Sequence, residues 1–208
     1  MSQATAIRLP SPEQGHTIPF FGILEKRQTK REISARTLSV EQLSNLLWAA
    51  CGVNRKVGPF GTPGRTAASA SNSQEIDVYV ALPSGAYLYD ALKNELLPIG
   101  KEDIRWQALT PRQHNVDAKA PVQLIYVADL HRLTHTQGFQ EPGLHDTEVQ
   151  KAYYYVDTGL IAGNVYLFAA AMDLAAWFHN CDKQALTKAL KLRPEQRVLF
   201  AQSVGYPL

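Results

Sequence analysis

From Gly159 to Phe178 the chain is apolar over about the length of a bilayer-spanning helix, with Asn164 and Asp173 inside the run. Such a segment belongs either in lipid or in the middle of a protein. Asp173 within it, and Lys151, Asp157 and Asp182 nearby, would be costly in hydrocarbon, and nothing marks a pore. The expectation is a buried helix of a soluble protein, from about His145 to Phe178, with no membrane partner. A helix apolar on every side needs neighbours on every side. A chain of 208 residues, most simply one domain over 1–208 that buries about 70% of its unfolded surface, finds them most readily in a second subunit.

Around that helix the pattern is mixed. Pro10, Pro12 and Pro19 with Gly15 and Gly22 predict an extended arm over 1–24. Ser39 and Gln42 form a capping box ahead of Leu43, Leu46, Leu47 and Ala50, so a helix is expected there, stopping at Gly52. Val53 to Arg65 reads as loop. Glu75 to Leu82 alternates as a strand, Pro83-Ser84-Gly85 turns, Ala86 to Asp90 returns, and Glu95 to Ile99 completes a meander. A short helix is expected over Glu102 to Leu109, a fully buried strand over Val122 to Ala128, and a loop from His131 to Gly143. Lys183 to Leu192 reads as a helix and Arg197 to Val204 as a last strand. The fold class is α+β in one domain.

Composition removes several functions. With 45% hydrophobic and 19% charged residues and a net charge of +2, the chain lacks the basic excess of a dedicated nucleic-acid binder. Two distant cysteines, Cys51 and Cys181, make no disulfide framework or zinc set and point to a reducing, cytoplasmic setting. Met1 to Ser11 has no apolar core of signal-peptide length. His131 and His135 share a helical i, i+4 spacing without a carboxylate signature, so no metal site is expected. Rossmann and hydrolase glycine patterns are absent, and no side chain stands out as catalytic.

Two segments do carry chemistry. Lys26, Arg27, Lys30, Arg31 and Arg36 form a basic stretch that reads either as a solvated face or as an anion site. The run Ser69-Ala70-Ser71-Asn72-Ser73-Gln74 is small, polar and anchored to a strand, with donors and acceptors suited to the flat edge of a heteroaromatic ring.

The residues at both places resemble the nitroreductase family. Ser69, Asn72 and Gln74 match its Pro-Ser-x-x-Asn-x-Gln flavin-edge motif, with Ala68 in place of the proline. Lys26-Arg27-Gln28-Thr29-Lys30 stands where the family has Arg-Arg-Ser-x-Arg/Lys, with Gln28 for serine. The resemblance runs from about Leu9 to the C-terminus. It implies a nitroreductase-like, mainly antiparallel sheet flanked by helices, with the long central helix at a homodimer interface. It further implies FMN as cofactor, NAD(P)H or an organic molecule as hydride donor, and an organic acceptor served by a ping-pong cycle. Lys26, Arg27, Gln28 and Lys30 would bind the cofactor's phosphate and pyrimidine edge, Ser69, Ala70, Asn72 and Gln74 the flavin edge. Ala176, Trp177 and Phe178, where the family has a Gly-Leu-Gly-like segment, would face the ring with backbone groups. Leu46-Leu47-Trp48-Ala49-Ala50-Cys51-Gly52 and the tyrosine-rich Tyr87 to Asp90 resemble the azoline-dehydrogenase branch in particular. Where many members continue past Gly-Tyr-Pro to a basic residue, Leu208 stands here, so the phosphate is expected to rest on the N-terminal cations or to bind weakly. A flavin-binding protein without turnover is compatible with the same residues.

Overall fold

The structure is a computed structural model that describes residues 5–13, 18–114, 120–140 and 143–208. In chain order its elements are β1 (Ile7–Arg8), α1 (Phe20–Lys26), α2 (Val40–Cys51), β2 (Val53–Arg55), β3 (Gly64–Arg65), β4 (Ile76–Leu82), β5 (Gly85–Asp90), β6 (Glu95–Gly100), β7 (Val122–Asp129), α3 (Leu130–Thr134), α4 (Thr147–Ala171), β8 (Ala175–His179), α5 (Lys183–Ala189) and β9 (Gln196–Gly205). Seven strands form one sheet in the order β1-β6-β5-β4-β7-β9-β8. Every pairing in it is antiparallel.

The sheet is covered on both faces, which explains β7. All eight of its residues are buried, because β4 and β9 flank it and side chains of both parities meet helices. Val78, Val80, Leu124 and Tyr126 face α2 and α4, whereas Tyr79, Ala81, Ile125 and Val127 face α5 and the turn at Arg105–Ala108. The predicted meander stands, in register Tyr79↔Leu88 through Leu82↔Gly85 and then Leu88↔Leu97. So does the capping box: Ser39 Oγ accepts from Gln42 N at 3.1 Å, and Gln42 Oε1 accepts from Ser39 N at 3.1 Å.

Four expectations need correcting. The arm is not extended throughout: Pro19 at the N-cap starts helix α1, where a proline lacking its N–H costs nothing. Gly15 lies outside the described residues. Val53 to Arg65 is not simply loop, because β2 and β3 pair as a small ribbon. Part of the segment from His131 is helical, α3, capped by Asp129 Oδ1 accepting from Arg132 N. The long helix ends at Ala171 rather than Phe178: Asp173 turns left-handed at φ 51°, Leu174 N donates to Ala169 O at 2.8 Å, and the chain continues as β8. Among the described residues no helix is long and apolar enough to cross a membrane.

Candidate functional site

The basic stretch leaves α1 as extended chain and runs along the outer edge of β8. Lys30 N donates to Ala176 O at 3.0 Å, so the strand edge that would otherwise stay open fixes the segment. Tyr166 of α4 ties the two together. Its hydroxyl accepts from Phe178 N at 2.9 Å and meets Thr29 Oγ1 at 3.1 Å. The Arg27 guanidinium lies 5.7 Å from the Tyr166 ring centroid and that of Arg31 5.8 Å from the Trp177 ring. The structure therefore brings Lys26, Arg27, Gln28 and Lys30 beside Ala176, Trp177 and Phe178. Lys26, Gln28 and Lys30 line a groove of about 110 Å³ against Ala169, Ala170, Asp173 and Leu174. Asp173 supplies an opposing charge there, its Oδ1 lying 3.0 Å from Lys26 Nζ. Both side chains are exposed, at 78% and 56%, and such a pair contributes about 0–1 kcal/mol, so an incoming anion can displace the carboxylate.

Trp177 is buried and packs on His179, while the half-buried Phe178 lies between Tyr126 and Phe200. Both aromatics are core. The Phe178 amide already donates to Tyr166, which leaves the groove itself, rather than that amide, as the polar surface here.

The second segment lies elsewhere. Ser69 to Gln74 is a tight turn in which Ser71, Asn72 and Gln74 all have φ near +50°, a region that costs a non-glycine residue about 1–2 kcal/mol unless it is held. Several bonds hold it. Gln74 N donates to Ser69 Oγ at 3.0 Å, Gln74 Nε2 to Pro63 O at 2.7 Å, and Asn72 Nδ2 reaches Pro59 O at 3.3 Å. Ala70 N donates to Asp157 Oδ2 at 2.8 Å, and Ser73 Oγ donates to Glu75 Oε2 at 2.6 Å.

Glu75 is 0% and Asp157 4% exposed, and the two carboxyl groups are close enough for the charge of one to act on the other. Burial first, and then the charge of Asp157, push Glu75 up to about 7 against the opposing Ser73 hydrogen bond. Burial raises Asp157 as well, against the Ala70 amide. Two carboxylates this close and dry do not both ionise, so the pair shares a proton. Glu75 Oε1 has no hydrogen-bond partner among the described residues.

The two segments sit on opposite sides of α4. Asp157, under the turn, and Tyr166, which ties down the basic stretch, are separated by about 14 Å along the helix. Tyr166 is about 180° around from Asp157. Between them α4 exposes Ala152, Tyr155, Val156, Gly159 and Leu160, and a Cβ at Gly159 or at the half-buried Gly163 would meet nothing within 4 Å. This apolar strip continues the helix's buried side, and Phe20, Phe21 and Leu24 of α1 add to the exposed apolar surface.

Sequence reasoning missed Tyr166, Asp173 and the Glu75–Asp157 pair. Asp173 within the apolar run and Asp157 beside it were the signals, as charges that a buried helix must accommodate. His131 and His135 do lie on a helical turn with rings stacked at 4.0 Å, but His135 Nδ1 is bonded to the His131 carbonyl. No group of three or more metal-capable side chains occurs among the described residues.

Residues 24–206 match the family model described as Nitroreductase family. The nitroreductase-like protein MJ1384 of Methanocaldococcus jannaschii is 28% identical over 181 residues, 84% of this chain and 83% of that one. The structure is similar to that of a nitroreductase-like protein of Ralstonia eutropha JMP134, with a TM-score of 0.82 and 31% identity over 98% of this chain and 90% of that one. An NADPH:FMN oxidoreductase of Vibrio harveyi complexed with NAD+ shares the fold, with a TM-score of 0.60 and 18% identity over 90% of this chain and 68% of that one. The chain belongs to the nitroreductase family.

Proposed function

We propose that this member of the nitroreductase family is an FMN-dependent oxidoreductase that works as a homodimer, with each flavin held between two copies. The carrying observation is the placement of the two motif segments on opposite sides of α4, with an exposed apolar strip between them. One chain does not turn both segments toward one ligand. Two chains packed strip to strip set the turn of one beside the groove of the other, and Gly159 and Gly163 allow close approach.

The residues present fit the cofactor. Lys26 and Lys30 present ammonium groups and Gln28 an amide to a groove of phosphate size, which suits charge-assisted hydrogen bonds to phosphate oxygens. Lys30 also lines the neighbouring hollow with Thr29 and Arg31, so its charge stands at the boundary between groove and open surface. Bound FMN supplies hydride acceptance and donation at N5, in a ping-pong cycle between NAD(P)H or an organic donor and an organic acceptor. The protein's part is orientation, and a fixed cation that favours the reduced, more negative form. Ser69 and Gln74 offer a rigid polar edge, and no acid–base side chain is required of the chain.

The Leu46 to Gly52 match to the azoline-oxidising branch has a packing explanation. Leu46, Leu47 and Ala50 are wholly buried, Trp48 Nε1 donates to Val53 O, and a Cβ on Gly52 would lie 2.3 Å from the Trp48 side chain. That motif builds α2.

The test combines visible absorption of the dialysed protein after FMN addition with sedimentation equilibrium. One flavin retained per chain on a dimer is expected, and Lys30→Ala is expected to weaken retention at least tenfold or lower the flavin potential. A monomer retaining no flavin overturns the reading. Reduction by NADH or NADPH in the steady state separates an enzyme from a flavin carrier.

A further inference from the structure

β4 and β5 pair only from Tyr79↔Leu88 onward, while Ile76 to Val78 pair with β7 and Tyr89 and Asp90 with β6. The strands therefore part at this end of the sheet. The gap opens into a cavity of about 230 Å³ between the strands, the end of α2 and the middle of α4. Its walls mix apolar side chains, among them Ile76, Val78, Leu88 and Ile161, with the charged Arg65, Asp77, Asp90, Arg132 and Asp157, and the charges are unevenly paired.

Each carboxylate there is engaged. Asp77 is bonded to Arg132 at 2.5 Å and accepts from Gln196. Asp90 accepts from the amides of Leu92 and Lys93. Asp157 accepts from the Ala70 amide. Arg65 is the exception. It donates Nε to Gln74 Oε1 at 2.7 Å and Nη1 to Cys51 O at 3.2 Å, and makes no ion pair among the described residues. The groups whose ionisation it perturbs are Cys51 and Tyr89, both neutral at pH 7. A half-buried guanidinium held by neutral acceptors has no carboxylate bonded to it, although Asp77 and Asp90 share the cavity, and its remaining fork is shaped for a carboxylate.

We propose that this cavity is a binding site for a small organic monocarboxylate, its apolar body between β4, β5 and α4 and its carboxylate on Arg65. The size sets the upper limit: an apolar cavity of about 150 Å³ holds benzene, so this one takes an aromatic or branched acid of that order. Ser69 and Gln74 of the turn line this cavity too, so it adjoins the proposed flavin edge, while it shares no residue with the groove at Lys26. An acid held on Arg65 is a second ligand beyond the cofactor reading and rests on it only for the neighbourhood of the turn.

Benzoate and its neutral isostere benzamide are the probes, titrated into the purified protein with and without added FMN and followed calorimetrically. Saturable benzoate binding is expected, with benzamide at least tenfold weaker. Arg65→Met is expected to reduce benzoate to the level of benzamide while leaving benzamide unchanged. If that variant does not fold, the comparison of the two probes on the unaltered chain still decides. Equal affinity for both probes, no binding, or displacement of FMN by benzoate would each overturn the proposal. FMN retention, read by visible absorption in the same samples, reports separately on the cofactor.

Discussion

The turn at Ser69 to Gln74 and the stretch at Lys26 to Lys30 were assigned to one cofactor, and they are built in opposite ways. The turn is strained and held rigidly, with three left-handed side-chain residues fixed by neighbouring carbonyls and by two buried carboxyl groups. The basic stretch is unstrained and exposed, held at one strand edge by Lys30 N and Ala176 O, with its lysine paired loosely to Asp173. Rigid turns present fixed shape at the expense of local strain. Exposed cations present charge that a ligand can redirect. The first kind of surface suits a flat ring edge and the second a phosphate.

The comparison breaks most visibly at Glu75. In the unfolded chain this group ionises near 4.5, and in the folded protein near about 7. Between those values the folded state holds a proton that unfolding releases, so Glu75 lowers stability as pH rises through the window, by at most ~3 kcal/mol. His179 acts in the other direction: burial pulls it from 6.5 down to about 4, so its contribution rises with pH over that range. The two slopes largely cancel in the native chain. Glu75→Gln removes one of them, and its stability relative to the native protein is expected to rise steadily from about pH 4.5 to 7 in urea titrations. A constant difference would show that the turn does not rest on a protonated carboxyl.

Tyr166→Phe tests the other segment. It strands the Phe178 amide and frees Thr29, and a destabilisation of about 1–2 kcal/mol is expected from denaturation midpoints. Weakened FMN retention should accompany it, because the basic stretch loses its tie to α4. A neutral result would mean that the Lys30–Ala176 bond alone positions the stretch.

The smallest effect is expected at Asp173→Gly. Glycine suits the left-handed position that closes α4, a gain below about 1 kcal/mol, and the substitution releases Lys26. A slightly raised melting temperature with severalfold tighter FMN retention is the expected pair. Stabilisation without tighter binding would remove Lys26 from the phosphate contact.

Local signals were readable where one segment decides its own fate. The capping box at Ser39 and Gln42, the alternation of Ile76 to Leu82 and the apolar run of Val122 to Ala128 each led to the element found. The end of α4 was not readable. Apolarity continues unbroken from the helix into β8, and only the left-handed turn at Asp173, set by the docking of β8 on β9, separates them. Helix α1 was obscured by prolines that prove to lie outside it.

The sequence by itself determined the α+β class, the order of most elements and the two polar segments, because periodicity, caps and short motifs are properties of neighbouring residues. It took the packed structure to show that those segments lie on opposite sides of one helix, that Glu75 and Asp157 meet, and that Arg65 makes no ion pair among the described residues at the gap between β4 and β5. Each of these joins residues far apart in the chain, and their burial and shared protons arise only once the sheet and α4 have packed.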